Sequence, residues 1–188
     1  MNRHLLLSLL VIACVSLAGV AQTSQVRRPS HDKQTLLTTA QHGDVRSQFW
    51  LGTGYEEGWF GKADYREALK WLRRAAVHGD QDAQNSLGRM YEEGEGVPHS
   101  DVLAAKWYRK AAEHVLDDGG AYQGRNNLGL LYLDGGRGVP RDVVRAYMWL
   151  RLADVEVNLA AAKAQMTAAQ VKEAERMATE WKSSHPER

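Results

Sequence analysis

The sequence contains a single cysteine, Cys14, among its 188 residues, and it has only four prolines and two phenylalanines. A lone cysteine has no partner in the chain for a disulfide, so the fold depends on its hydrophobic core for stability. Scarce proline leaves long stretches in which helices can run unbroken. The length suits one domain with a sizeable core and is too short for two comfortable ones. We therefore expect one helical domain with tight turns.

An excess of charge of either sign is also lacking, because 24 lysine and arginine residues balance 23 aspartate and glutamate residues. Proteins that bind nucleic acid carry an electropositive surface that neutralises the phosphates. The balanced composition therefore argues against a nucleic-acid partner.

A long apolar run is missing too, since the one such stretch, residues 5–15, is shorter than the roughly 20 residues of a membrane-spanning helix. Arg3 and His4 precede this stretch, and the small residues Gly19-Val20-Ala21 follow it. This order is typical of a secretory signal peptide cleaved near Ala21. We expect a periplasmic or secreted bacterial protein that meets the membrane only transiently, through its signal segment.

Two alternatives to cleavage near Ala21 stay open. The first is an uncleaved membrane anchor. The second is lipoprotein processing at Cys14, because residues 11–14 loosely resemble a lipoprotein processing box. Against the second, residues 15–21 stay apolar, where a lipoprotein usually becomes polar at once. Cleavage near Ala21 would leave a mature chain without cysteine.

The same residue types recur three times along the rest of the chain, in the same order. The matching sets are Leu51-Gly52, Leu87-Gly88 and Leu128-Gly129; Tyr55, Tyr91 and Tyr132; Gly58, Gly94 and Gly135; Ala68, Ala104 and Ala146; Trp71, Trp107 and Trp149; and Ala75, Ala111 and Ala153. The first two copies are 36 residues apart throughout, and the third is shifted by extra residues in 117–123 and in its Gly-rich turn. A period of this length is typical of stacked helical hairpins.

Glycine within a predicted helix is a notable part of this repeat. Gly88 should cost roughly 1 kcal/mol relative to alanine in a helix. Its recurrence predicts that two helix backbones approach closely there, with a Trp or Tyr side chain closing over the gap. Gly94 is expected to end its helix in the left-handed conformation. Gly43-Asp44 and Gly79-Asp80 are expected to stop one helix and cap the next.

The pattern A-x-x-x-L-G-x-x-Y-x-x-G-x-G-V followed by A-x-x-W-x-x-x-A resembles the Sel-one-like repeat (SLR) family, relatives of tetratricopeptide repeats with a slightly longer unit. Copy two matches nearly throughout, whereas copy three has Gly124 for the first alanine and Asp154 for the last. Copy one has Ser47 for the leading alanine and Trp59-Phe60-Gly61 instead of the G-x-G-V turn. The resemblance implies an all-α fold, a right-handed α–α superhelix or solenoid of three hairpins with flanking capping helices.

The signal-peptide pattern and the alignment of the repeats together give the segment boundaries. We predict a signal peptide over 1–21, a linker over 22–33, a leading helix over 34–42, repeats over 44–79, 80–115 and 121–157, and capping helices over 158–183. Thr167 to Gln170 has the form of a capping box that starts the last helix. Its apolar face is predicted to comprise Val171, Ala174, Ala178 and Trp181.

Several residue patterns suggest chemistry, but a structural role fits each of them better. His42, His78 and His114 recur with the repeat, so their side chains should be too far apart to share one metal ion and should instead meet the negative ends of their helices. The pairs Glu56-Glu57 and Glu92-Glu93 are predicted to lie on a solvated face rather than to form an acid–base pair.

Ser30-His31-Asp32-Lys33 spells S-x-x-K, a motif of serine β-lactamases, but neither S-D-N nor K-T-G follows it. We interpret it as a chance match. The sequence thus predicts no catalytic, cofactor-binding or metal-binding residue and no enzymatic activity. An alternative hypothesis is a cell-wall-active or β-lactamase-like hydrolase. It depends only on the cysteine-rich members of the resembled family, which have been linked to such activity.

The resemblance implies that the first helices of the repeats line a concave face and contact a ligand there. The positions opposite the predicted core stripe give the candidate partner-binding residues Phe49, Asn85, Arg89, Asn126 and Leu130. Asparagine and arginine are suited to a peptide backbone or carboxylate, and Phe49 and Leu130 to apolar side chains. We therefore predict a monomeric, non-enzymatic scaffold or adaptor that binds a protein or peptide.

Overall fold

A computed structural model describes residues 32–114 and 119–186, and these parts contain nine helices and no named strand. The helices are α1 (Lys33–Gln41), α2 (Val45–Glu56), α3 (Tyr65–Val77), α4 (Gln81–Glu93), α5 (Asp101–Ala112), α6 (Gly120–Asp134), α7 (Val143–Ala153), α8 (Glu156–Lys163) and α9 (Ala168–Ser184). The predicted signal peptide, Cys14, Ser30 and His31 lie outside the described residues. None of the described helices combines the length and the apolar character needed to cross a bilayer.

The helices form three antiparallel hairpins, α2–α3, α4–α5 and α6–α7, that stack in chain order. Each first helix packs against the second helix of its own unit and against the second helix of the preceding unit. Helix α1 packs on α2 as the second helix of an incomplete unit, and α8 and α9 pack on α7 at the other end. The predicted all-α solenoid is confirmed.

A side chain of the second helix packs tightly on the repeated glycine in all three units, and the predicted close approach of the backbone is seen at Gly52 and Gly129, where an added Cβ would lie 3.1 and 3.2 Å from a backbone atom. A Cβ added at Gly88 would overlap the ring of Tyr108, and one added at Gly52 or Gly129 would lie 2.7 Å from Leu72 or Leu150. The contacting side chain is therefore Leu, Tyr and Leu in turn, so the expected Trp or Tyr is correct only for the middle unit. These side chains follow the repeated tryptophan by one residue and are fully buried.

Glycine–aspartate pairs end one helix and begin the next, as predicted. Gly43 and Gly79 adopt φ values of 95° and 90°, which side-chain-bearing residues rarely adopt. The Asp44 carboxylate then accepts a hydrogen bond from Ser47 N, and that of Asp80 accepts one from Ala83 N. Two residues thus make each junction between units.

The turn within each hairpin closes in the same way in all three units. The backbone N–H of Asp64, Ser100 or Asp142 donates to the carbonyl of the repeated tyrosine at 2.8 Å in each case. Copy one therefore keeps the turn although Trp59-Phe60-Gly61 replaces the G-x-G-V sequence. Its two extra aromatic rings pack beside Trp50 and Tyr55 instead.

The C-terminal helix covers the last repeat. The capping box at Thr167 and Gln170 is present, and Ala174 and Ala178 are buried against the core. The Trp181 ring meets that of Trp149 edge-on, with centroids 6.1 Å apart. Helix α9 therefore seals an apolar surface of α7 that a further repeat would otherwise cover.

Replacing Gly88 with alanine is expected to lower the free energy of unfolding by about 1–3 kcal/mol, the usual cost of overpacking a core. The new methyl group would overlap the Tyr108 ring, whereas the same change at an open helical position stabilises by about 1 kcal/mol. Urea unfolding followed by circular dichroism measures the difference.

Ser86→Ala, on the same helix and only partly buried, is the matched control and should change stability by less than about 0.5 kcal/mol. Combining Gly88→Ala with Tyr108→Ala should cost less than the sum of the two single changes, because the overlap is then relieved. Additive costs would show that the two residues do not constrain each other.

Candidate binding surface on the first helices

The candidate partner-binding residues lie on one side of the three first helices, which we call the first-helix face. It comprises Arg46, Phe49, Trp50, Thr53 and Glu56 on α2; Asp82, Asn85, Ser86, Arg89 and Glu92 on α4; and Gln123, Asn126, Asn127, Leu130 and Leu133 on α6. Residues at matching positions of successive units follow one another across this face, so it crosses the stack from α2 to α6.

An ion pair in which only the arginine is well exposed joins the first two units at the N-terminal ends of their first helices. Arg46 Nη1 lies 2.6 Å from Asp82 Oδ2 and 3.5 Å from Asp80 Oδ2. The Arg46 guanidinium also lies over the rings of Phe49 and Trp50, at 4.7 and 5.0 Å from their centroids. One cation thereby links acidic and aromatic groups of two repeats.

A second ion pair joins the same units near the helix C-termini, and one partner is buried. Arg89 bonds Glu56, whose side chain is 6% exposed, and it also lies 3.1 Å from Glu93 and 3.5 Å from Glu95. Burial raises the pKa of Glu56, and the Arg89 charge opposes that rise. The prediction that Glu56 lies on a solvated face is therefore wrong, because the neighbouring unit covers it.

Glu92, at the equivalent position of the second unit, is also engaged. Its carboxylate accepts a hydrogen bond from the Tyr108 hydroxyl at 2.5 Å. Burial and this bond raise the pKa of Tyr108, so the phenol stays protonated and continues to donate. Both carboxylates at this position therefore tie helices together.

A chain of five side-chain amides links α8, α6 and α4. Asn158 donates to Asn126 at 2.7 Å, Asn126 to Asn127 at 3.4 Å, Asn127 to Asn85 at 3.0 Å, and Asn85 to Gln123 at 3.0 Å. The four asparagines all donate in the same direction, toward Gln123, which only accepts. Each interior member keeps one further N–H and one further carbonyl lone pair beyond those that the chain uses.

Two of the five candidate residues are less accessible than the helical wheel indicated. Phe49 and Asn85 are each only 8% exposed. Phe49 packs among Ala68, Leu72 and other core residues, and Asn85 lies within the amide chain. The expectation that these positions face solvent is wrong, because neighbouring units cover first helices on more than one side.

Arg89, Asn126 and Leu130 are partly exposed. Arg89 forms ion pairs with three carboxylates, Asn126 is an interior member of the amide chain, and Leu130 packs against the core cluster at its edge. The structure thus brings Asn85 and Asn126 into one network and leaves Phe49 outside it. Contact of any of the five with a partner stays a prediction.

Sequence reasoning missed a row of buried polar residues at the start of each first helix. Gln48 and Gln84 donate to the carbonyls of Ala40 and Ala76 at 3.1 and 3.0 Å, and Arg125 Nε donates to that of Ala112 at 3.1 Å. These are C-terminal carbonyls of the preceding second helix, which lack partners within that helix. The recurrence of glutamine after 36 residues was the available signal.

The repeated histidines behave as predicted at the two positions where the ring bonds a carbonyl. Nδ1 of His42 lies 2.7 Å from Thr38 O, and Nδ1 of His78 lies 2.8 Å from Arg74 O, so both rings cover the last turn of a helix. Within residues 32–114 and 119–186, no three potential metal-ligating side chains come together.

Replacing Arg89 with methionine is expected to destabilise the fold by about 2 kcal/mol at pH 7, below the roughly 3–5 kcal/mol of a fully buried pair because Arg89 is half exposed. Glu56 then stays buried with its charge uncompensated, and its folded-state pKa rises further above 4.5. The loss should be absent below pH 4.5 and develop as the pH rises above it. Thermal unfolding at several pH values measures this dependence.

Glu56→Gln in the Arg89→Met background should restore most of the stability at pH 7, because no charge is then buried. Arg176→Met removes exposed pairs with Glu173 and Glu180 on α9 and should cost far less stability than Arg89→Met, because ion pairs between exposed groups contribute little. A pH-independent loss in Arg89→Met would contradict the assignment of the cost to the Glu56 charge.

Comparison with known proteins supports the repeat structure. The sequence profile of the Sel1 repeat matches residues 45–80, 81–114 and 123–153. The crystal structure of c5321, a protective antigen present in uropathogenic Escherichia coli strains and displaying an SLR fold, matches with a TM-score of 0.72 and 30% identity over 81% of this chain. A Sel1 repeat protein from Oxalobacter formigenes matches with a TM-score of 0.62 and 30% identity over 77% of this chain.

The matched regions span 33% of the E. coli chain and 61% of the Oxalobacter chain. No curated protein sequence matches the chain. The three profile matches together cover more than half of the 188 residues and fall on the three hairpins described above. On these grounds, the chain belongs to the Sel1 repeat family, whose members are generally protein-interaction scaffolds.

Proposed function

We propose that this protein is a non-enzymatic scaffold of the bacterial envelope that binds a protein or peptide on its first-helix face. The amide chain from Asn158 to Gln123 is the observation that carries the proposal. Its groups are those of a polypeptide backbone, an N–H donor and a carbonyl acceptor on each member. A polypeptide segment can therefore form hydrogen bonds with the amide chain even if the segment carries no charge.

Accessibility supports the same face. Gln123 is exposed, and Asn126, Asn127 and Asn158 are partly exposed, so the amide chain meets solvent along most of its length. Trp50, at the other end of the face, is partly exposed, and so is Trp59 in the turn after α2, whose ring centroid lies 6.1 Å from that of Trp50. Amides suited to a backbone and aromatic rings suited to apolar side chains thus occupy one surface.

A hydrolase function gains no support from the described residues. Asp32 and Lys33 are the two described members of the S-x-x-K sequence, and both have structural roles. The Asp32 carboxylate caps α1 by accepting from Thr35 N at 2.8 Å, and the Lys33 ammonium lies 4.8 Å from the centroid of the Tyr55 ring. These contacts give Asp32 and Lys33 structural roles, and Ser30 lies outside the described residues.

Site-specific photo-crosslinking in the producing bacterium tests the partner-binding proposal. A benzophenone side chain is placed at the exposed positions Arg46 and Gln123, and at Lys172 and Glu173 on the charged side of α9 as controls. We expect the same protein to be captured from both first-helix positions, since they lie on one face, and not from α9. Capture of a protein from the α9 positions alone, or no capture from either first-helix position, would contradict the proposal.

Export is tested on the same strain. The protein recovered from the periplasm or medium should have a mass that corresponds to cleavage near Ala21, since Gly19-Val20-Ala21 supplies the small residues that signal peptidase needs. Ala21→Arg should block cleavage and Cys14→Ala should leave it unchanged. An added lipid mass that disappears in Cys14→Ala would show lipoprotein processing instead.

A further inference from the structure

The second helices of the repeats are rich in positive charge. Helices α3, α5 and α7 contain nine lysine and arginine residues and only two acidic ones, Glu67 and Asp101, of which Glu67 pairs with Lys70 at 3.0 Å. Six of the cations recur at a spacing of 36 residues on α3 and α5, and all six are exposed. These second-helix cations are Lys70, Arg73 and Arg74 on α3 and Lys106, Arg109 and Lys110 on α5.

Neutral groups hold four of these cations in place. Arg73 and Arg109 donate to the hydroxyls of Tyr91 and Tyr132, the repeated tyrosine of the next unit. Arg74 lies 4.7 Å from the centroid of the Trp71 ring, and Lys110 lies 4.5 Å from that of Trp107. A hydroxyl or a ring fixes the position of a cation without neutralising it. The positive charge of these side chains therefore remains available to an anion.

Apolar side chains are exposed on the same two helices. Tyr65 and Val77 on α3 are 36% and 74% exposed, and Val102 and Leu103 on α5 are 52% and 37% exposed. Four of the six large hydrophobic residues that are exposed in the described parts of the chain thus lie on these helices. A partner that offered only negative charge would not explain why apolar side chains are exposed beside the cations.

We propose that the outward side of α3 and α5 docks on a membrane surface of anionic lipids. Lipid phosphates provide the negative charge that complements the second-helix cations, and the boundary between headgroups and acyl chains accepts exposed apolar side chains. An acidic protein surface would pair with the cations but would leave the valines and the leucine without apolar contacts. This surface is separate from the first-helix face, which stays free to hold a partner near the membrane.

Vesicle flotation of the full chain tests the proposal. Vesicles of phosphatidylglycerol and phosphatidylcholine in equal amounts are compared with vesicles of phosphatidylcholine alone, at about 50 and 500 mM NaCl. Insertion of the apolar residues 5–15 into acyl chains should contribute equally to binding of both vesicle types. The difference in binding between them therefore measures the effect of headgroup charge. We expect binding to the anionic vesicles to exceed binding to the neutral ones at least roughly tenfold at low salt.

Matched charge reversals locate the surface. Lys70, Lys106 and Lys110 are changed to glutamate in one variant, and the exposed lysines Lys163, Lys172 and Lys182 of α8 and α9 in the control. The net charge of the two variants is identical. The first variant should lose the preference for anionic vesicles, whereas the control should keep most of it. A third variant, Val102→Ser with Leu103→Ser, should bind several-fold more weakly with an unchanged salt dependence.

Circular dichroism melting confirms that each variant is folded before it is compared. Equal binding of the two charge-reversal variants, or no preference of the parent chain for anionic vesicles, would overturn the proposal. Binding to poly-glutamate without binding to anionic vesicles would also overturn it, and would assign the surface to an acidic protein. None of these results bears on crosslinking from Arg46 and Gln123, so the two proposals fail independently.

Discussion

The fold depends on the close contact between a glycine in each first helix and a large side chain in the second. At Gly52, Gly88 and Gly129 the absence of a side chain lets Leu72, Tyr108 and Leu150 reach the helix backbone. This contact sets the distance between the two helices of a hairpin. The next unit then packs on a pair of helices whose spacing is already fixed, so the same geometry passes from unit to unit.

The fold was predictable from the sequence because the residues that recur are those that packing and helix ends require. Glycine followed by aspartate ends one helix and caps the next, and glycine opposite a bulky residue allows close contact. Burial on the first-helix face was not predictable in the same way. A helical wheel assumes one covered side, whereas α4 contacts α3, α5 and α6. Phe49, Asn85 and Glu56 are therefore buried at positions that a single helix would expose.

The composition of the whole chain also concealed how charge is arranged. The totals of acidic and basic residues nearly cancel, yet the second helices are strongly basic while α4 carries Asp82, Glu92 and Glu93. A repeat places equivalent residues on the same side of the stack. A small excess of one charge in each unit therefore adds up to a charged surface. Net charge is thus a poor guide to the partners of a repeat protein, since it averages over faces that act separately.

The amide chain has a direction as well as a composition. Because the four asparagines donate toward Gln123, an unused N–H lies at the Gln123 end and an unused carbonyl at the Asn158 end. Rotation of one amide would set two donors or two acceptors against each other, so the five hold their orientation together. A polypeptide that spanned both ends would face a donor at the Gln123 end and an acceptor at the Asn158 end. The surface would then distinguish the two orientations of the same bound segment.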